Sequence, residues 1–351
     1  MIQTIDFFRS FISDPFTFGK IAAIHALSDC HAMGARAKTA LALAVMQFAA
    51  NEAMTERTLI DMLSGASDVL DEEGCELAGG HTCEGVEQAL GFSVTGFIDD
   101  PNKLLRKRGG KVGDKIVLTK PIGTGALFAA DMRAKCHGHA VEEALRSMTT
   151  SNGYASRIAM DMIEHRMNSD SVNGAGEGLN AYDRGIHACT DVTGFGLAGH
   201  LLEMLVANDG IKHGSAGAEF NSIAASIDLN AVPFLRGALE ASNNDITSSL
   251  YRENFRSRRA VSNHADAART HPIKYPLLFD PQTAGGLLFF ISPDICDEFI
   301  RKLTNDGTRG AELPATVIGE LVDYNAQQYD NLVCDIDGSC TPTAGRIHIH
   351  Y

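Results

Sequence analysis

Polar and apolar residues alternate from Ile2 to Phe8, a period of two that predicts a strand at the very start of the chain. Asp14 and Pro15 then supply a cap and a first-turn proline for a helix over 15–33. A long apolar strand is expected over 39–48, an acidic amphipathic helix over 55–73, and strands over 75–79 and 90–98. The polar stretch Gly79 to Gly85 reads as a loop between the last two. This order describes an α+β unit built on β-α-β. A turn cluster, Asp99 to Asn102, precedes a basic run from Lys103 to Lys111, and the division into 1–100 and 101–351 is placed there. The run itself reads chiefly as a solvated face, with phosphate contact as the lesser reading.

The second part opens with a strand over 115–119 and the turn Pro121 to Gly125, followed by helices over 124–135 and 152–165. Asn168 to Arg184, rich in Asn, Gly and Ser, reads as an exposed insertion. Ala188 to Gly196 opens a helix over 197–206, and a strand is expected over 287–291 after Phe279 to Gly286. Residues 242–275 carry no clear period. The segment beyond Asp323 is poorly patterned, and His348 and His350 read as an exposed tail.

With 44% hydrophobic and 21% charged residues over 351 positions, the chain can bury a core in each of two domains. A net charge of -14 argues against general binding to nucleic acid or anionic membrane. The longest apolar stretch, Ala40 to Ala50, is too short to span a bilayer, and Met1 to Lys20 shows no leader pattern. Eight scattered cysteines without a C-x-x-C pair suit reduced thiols, so the expected location is cytoplasmic. A strand beginning at residue 2 suggests that the chain starts within a domain.

Three aspartates stand out. Asp6 lies among apolar strand residues, where a carboxylate is costly unless paired or bound to a metal. Asp29 follows the apolar helix run Ala22 to Leu27, and Asp191 precedes a glycine-rich helix start. Such oxygen donors suit Mg²⁺, although each taken singly also reads as a cap or turn aspartate. Gly79-Gly80-His81-Thr82 could close backbone N–H groups on an anion, a weak signal alone. The glycine turns at 123–125 and 194–196 fit anion sites at helix N-termini and tight packing equally well, whereas Gly285-Gly286 fits packing better. His25 could point to the same site as Asp29. His31 beside Cys30 reads as structural rather than as a soft-metal pair.

Taken in order, Thr4 to Phe8 (TIDFF), Asp14 to Asp29, Ala32 to Ala35, Leu77 to Gly85 (LAGGHTCEG), Leu118 to Gly125, Cys189 to Glu203 (CTDVTGFGLAGHLLE), Asp280 to Leu288 (DPQTAGGLL) and Ile318 to Leu321 resemble the selenophosphate synthetase family. The resemblance implies a two-domain aminoimidazole ribonucleotide synthetase-like α+β fold, with a dimerising N-terminal sheet domain and a C-terminal α/β sandwich domain. It implies selenophosphate synthesis from ATP, selenide and water, with Mg²⁺ required. It places Asp6 and Asp29 on ATP, Asp29 and Asp191 on magnesium, and Gly80, His81 and Thr82 on phosphate from the partner subunit of a homodimer. The family's glycine-rich loop with a catalytic cysteine and lysine has no counterpart in this sequence. No catalytic residue is therefore assigned, and the isolated chain is expected to be inactive. His25 stands where the family often has asparagine. The alternative is a non-catalytic nucleotide-binding or regulatory relative.

Overall fold

The computed structural model describes residues 1–48, 51–172, 184–208, 223–305, 315–324, 331–334, 340–343 and 345–351. The first half is built from β1 (Ile2–Arg9), α1 (Pro15–Ala32), β2 (Arg36–Gln47), α2 (Glu52–Glu72), β3 (Glu76–Gly85) and β4 (Ala89–Phe97). Asp14 caps α1 by accepting from Thr17 N at 2.9 Å, with Pro15 in the first turn, as the sequence predicts. The four strands lie in the order β1-β4-β2-β3. β1 and β2 both run antiparallel to β4, and β2 runs parallel to β3 across the α2 crossover.

α1 and α2 cover one face of this sheet. Alternation along β1 turns Thr4, Asp6 and Phe8 toward the helices and Gln3, Ile5 and Phe7 outward. The outward face carries no element of this chain among the described residues, and Ile5 and Leu41 there are 68% and 50% exposed. The expected loop at Gly79 to Gly85 is instead strand: it forms most of β3, paired with β2 from Thr39↔Glu76 to Gln47↔Gly85. Its residues are exposed because β3 is an edge strand, so no alternation marks it. Glycine is required at position 80, where a Cβ would stand 2.1 Å from Ala42 O on β2.

The second half holds β5 (Lys115–Leu118), α3 (Thr124–Asp131), α4 (Gly138–Met148), α5 (Gly153–Val172), β6 (Ile186–Asp191), α6 (Gly196–Ala207), β7 (Ile223–Asp228), α7 (Arg236–Asn243), β8 (Leu287–Ile291), α11 (Pro293–Asn305), β9 (Thr316–Asp323) and β12 (Ile347–His350). Between α7 and β8 come the short helices α8 (Tyr251–Asn254), α9 (His264–Thr270) and α10 (Lys274–Leu277), and β10 (Asn331–Cys334) pairs with β11 (Cys340–Thr343). The main sheet has the order β12-β7-β9-β5-β8-β6. α6 packs in the apolar cluster on one face of it, and α5 and α11 in the cluster on the other.

Three expectations need correction here. His348 and His350 lie in a strand, not an exposed tail: β12 pairs parallel with β7, and His348 Nδ1 meets Ser262 Oγ at 2.9 Å. The insertion expected at 168–184 begins as the last turns of α5 and ends at Arg184, which is buried; 173–183 lie outside the described residues. The helix expected over 124–135 stops at Asp131, and α4 follows unforeseen.

One apolar cluster joins the two halves, running from Phe18, Ile21 and Leu27 of α1 through Leu127 and Phe128 of α3 to Ala144 and Leu277. A polar junction reinforces it. Glu73, just past α2, accepts from Ser151 Oγ and from Arg157 Nη1 at 2.9 Å, and His31 Nε2 stands 3.6 Å away. Burial pushes the Glu73 carboxyl up, but these partners outweigh it and hold the group at about 2.

Candidate functional site

The inner face of β1, the C-terminal half of α1 and the end of β6 meet at three carboxylates. Asp6 projects from β1. His25 and Asp29 stand one turn apart on α1, and therefore on one side of it. Asp191 ends β6 with its side chain buried. Thr4 Oγ1 donates to Asp29 Oδ2, tying strand to helix. Asn152 Nδ2 donates to Ser28 Oγ and to Gly285 O, each at 2.8 Å, fixing the α1 side of the site against the second half.

The electrostatics are those of confined like charge. Burial and the neighbouring Asp29 and Asp191 push the Asp6 carboxyl up to about 7. Asp191 is raised as well, by burial and then by Asp29. His25 Nε2 is 3.7 Å from Asp6 Oδ1, and its Nδ1 accepts from Ala284 N at 2.9 Å. A ring nitrogen that accepts a backbone N–H is unprotonated, so the neutral ring carries its proton on Nε2, toward Asp6. Burial, with Lys120 and His200 adding to it against Asp29, lowers His25 to about 4.

A cavity of about 520 Å³ opens onto this cluster. Asp29 and Asp191 line it together with Arg106, Lys107 and Arg108, and Arg106 O accepts from Cys189 N at 2.9 Å beside the strand that ends in Asp191. The basic run read mainly as a solvated face thus borders the carboxylates. Lys107 Nζ is 2.9 Å from Glu203 Oε2, and Glu203 is 3.2 Å from His200 Nδ1. His200 Nε2 in turn accepts from Phe195 N at 3.4 Å, so the chain from the basic run ends in the loop after Asp191.

Lys120 was not foreseen as part of the site. It is buried, and its Nζ donates to Thr150 O at 2.5 Å and to Ala284 O at 3.1 Å. Burial lowers it to about 7 while Asp191 pulls the other way. It is a counter-charge behind the carboxylates. Its only sequence signal is a lysine between an apolar strand and Pro121. Cys189 also lines the cavity, but burial and then Asp191 push its thiol well up, which is the reverse of an activated nucleophile. The six cysteines with described side chains are all free.

Segment Asp280 to Gly286 is the hub. Asp280 Oδ2 accepts from Ala126 N at 2.9 Å, and Gln282 Oε1 accepts from Gly123 N at 2.7 Å and Thr124 N at 3.1 Å. The N-terminus of α3, considered as an anion site, is therefore already satisfied by the protein itself. Gln282 N donates to Thr193 O at 2.9 Å, and Val192 N donates to Gly286 O at 2.8 Å. Glycine at 285 serves packing, since a Cβ there would lie 2.0 Å from Val192 O.

The donor set fits magnesium. Among the described residues no group of three or more His, Cys, Asp or Glu side chains closes around a metal ion. Mg²⁺ characteristically takes one or two carboxylates and completes its shell with water and phosphate oxygens. Asp29 and Asp191 supply such a pair, and a cation would relieve the repulsion that raises Asp6 and Asp191. Gly80, His81 and Thr82 are not brought to this site within the chain. They lie on β3, three strands from β1, or about 14 Å at the usual strand spacing.

Comparison with known proteins agrees with this frame. Residues 1–98 match the family model for the AIR synthase related protein, N-terminal domain, and 111–328 the model for its C-terminal domain. The selenide, water dikinase of Agathobacter rectalis is 35% identical over 323 residues, 92% of this chain and 80% of that protein. That of Pelobacter propionicus is 36% identical over 324 residues, with the same coverage. Among solved structures, thiamine-monophosphate kinase from Stenotrophomonas maltophilia superposes with a TM-score of 0.60 at 16% identity, covering 99% of this chain and 84% of that one. A hydrogenase maturation protein HypE in complex with ATP gives 0.57 at 15% identity, covering 97% and 83%. At these identities the two structures speak for the fold alone.

Proposed function

The chain belongs to the selenide, water dikinase family, and from that membership we propose that it forms selenophosphate from ATP, selenide and water, releasing AMP and phosphate. The observation that carries the reading is the cavity lined together by Asp29, Asp191, Arg106, Lys107 and Arg108, with Asp6 close enough to Asp29 and Asp191 to feel their charge. Phosphoryl transfer asks a protein mainly for positioning and charge neutralisation. Arg106 and Arg108 make no ion pair among the described residues and are open to phosphate oxygens.

Asp29 and Asp191 would hold Mg²⁺, which when bound neutralises charge on the phosphates. Asp6 and Asp29 contact ATP in this reading, with His25 holding a proton toward Asp6. Gly80, His81 and Thr82 come to the phosphates from a second copy of the chain. A homodimer is supported by the outward sheet face, where Ile5, Phe7 and Leu41 form an apolar patch left exposed among the described residues. The domain division near residue 100 belongs to the same reading. No helix among the described residues is long and apolar enough to cross a membrane, and a cytoplasmic location is proposed with the function.

The test pairs nucleotide binding with turnover. Mg²⁺-dependent ATP binding is measured by calorimetry on the protein and on Asp29→Asn and Asp191→Asn, and AMP release is measured with and without selenide. Each substitution should weaken Mg²⁺-dependent binding by about tenfold or more. Binding indifferent to Mg²⁺ and to both aspartates would sink the site assignment. From this chain alone no AMP is expected; turnover is therefore read after the family's cysteine- and lysine-bearing loop is supplied, and aspartate-dependent binding that gives no selenide-dependent AMP even then would favour a nucleotide-binding relative instead.

A further inference from the structure

A second cavity, of about 670 Å³, lies at the other end of the inner face of β1. Thr4 lines the first cavity and Phe8 the second, with Asp6 between them on the same side of the strand. Thr4 and Phe8 are about 14 Å apart at the usual rise per residue. No residue lines both cavities.

The lining has a definite chemistry. Its floor is aromatic: Phe8 and Phe11 have ring centroids 6.3 Å apart, and Phe11 meets Phe128 edge-on at 4.8 Å. Its rim carries Arg9, Arg133 and Arg252. Arg9 is 2.5 Å from Glu87, but Arg133 and Arg252 make no ion pair among the described residues. Among the described residues no aspartate or glutamate lines the chamber, in a chain with 44 acidic against 30 basic residues. The nearby Asp280 is engaged in capping α3 through Ala126 N. Ser249 and Thr283 add hydroxyl donors. The volume lies in the range of small-molecule sites.

We propose that this chamber binds a phosphate monoester carrying an aromatic body, of mononucleotide size, as a ligand separate from the nucleotide at the carboxylates. The free arginines take the phosphate, for which the guanidinium fork is suited, and the phenylalanine floor takes the ring. The proposal does not depend on the selenium reaction.

The chain contains no tryptophan. Met132→Trp, at an exposed residue lining the chamber, therefore provides a single fluorescent reporter. Phenyl phosphate, AMP and inorganic phosphate are titrated without magnesium. Phenyl phosphate and AMP should each change the emission and bind at least about tenfold more tightly than inorganic phosphate. Adding Arg133→Gln and Arg252→Gln should weaken both by about tenfold or more. Both substitutions fall on exposed side chains, and circular dichroism verifies folding. Adding Asp29→Asn instead should leave both within about twofold. Indifference to the two arginines, or loss on Asp29→Asn, overturns the proposal. Binding by AMP but not phenyl phosphate, with the arginine dependence intact, supports it and identifies the ligand as a nucleotide.

Discussion

Glu73 shows what one side chain can do at a junction. It is buried between Ser151, Arg157 and His31, which belong to both halves of the molecule. Glu73→Gln should cost about 2 kcal/mol at neutral pH, the scale of a charge-assisted hydrogen bond lost in a buried place. The pH dependence follows from its depressed carboxyl. The group contributes stability fully above its ordinary value of 4.5, and loses it as pH falls toward about 2. Urea unfolding of the two proteins should therefore show a full gap at pH 7 that closes below pH 4.5. A gap that is flat with pH would mean the carboxylate charge contributes nothing there. The three aspartates that the structure brings together stand out in the sequence, Asp6 because a carboxylate among apolar strand residues is costly, Asp29 and Asp191 because they lie at the edges of apolar elements. Lys120, Arg106 and Arg108 do not, since a strand-end lysine and a basic run look the same whether solvent or a cavity lies beyond them.

At the scale of elements, β1 and β2 could be read from their patterning because each has one buried face, and α1, buried almost all round, from its Asp14 cap and first-turn Pro15. β3 could not, since an edge strand exposed along its length has no alternation, and Gly79-Gly80 imitates a turn. α4 was missed because its buried stripe is largely Ala140, Ala144 and Met148, two of them too small to mark a core. β12 has only four residues, too few for a period to show. The α3 cap was invisible for another reason: its partners are more than 150 positions away. Gln282→Ala should leave the N–H groups of Gly123 and Thr124 buried without an acceptor, costing about 2–4 kcal/mol. Chemical unfolding measures this directly, and a loss under about 0.5 kcal/mol would show that water or neighbouring groups take over the cap.

For the whole molecule, the uncovered sheet face sets the expected assembly. Placing charge there, with Phe7→Glu and Leu41→Glu, should convert a dimer to a monomer in sedimentation velocity, since both side chains point away from the helices. Loss of Mg²⁺-dependent ATP binding should accompany it if Gly80, His81 and Thr82 act from the second copy. A monomeric parent protein would refute this.

The hub at Asp280 to Gly286 has a thermodynamic corollary. It is bonded to the start of α3 under the aromatic chamber, to His25, and to the strand end and loop that carry Asp191 and Thr193. A ligand that displaces it from either side changes the free energy of the other. Linkage would make that exchange reciprocal: whatever factor a ligand in the chamber imposed on a cation held by Asp29 and Asp191, the cation would return to the chamber.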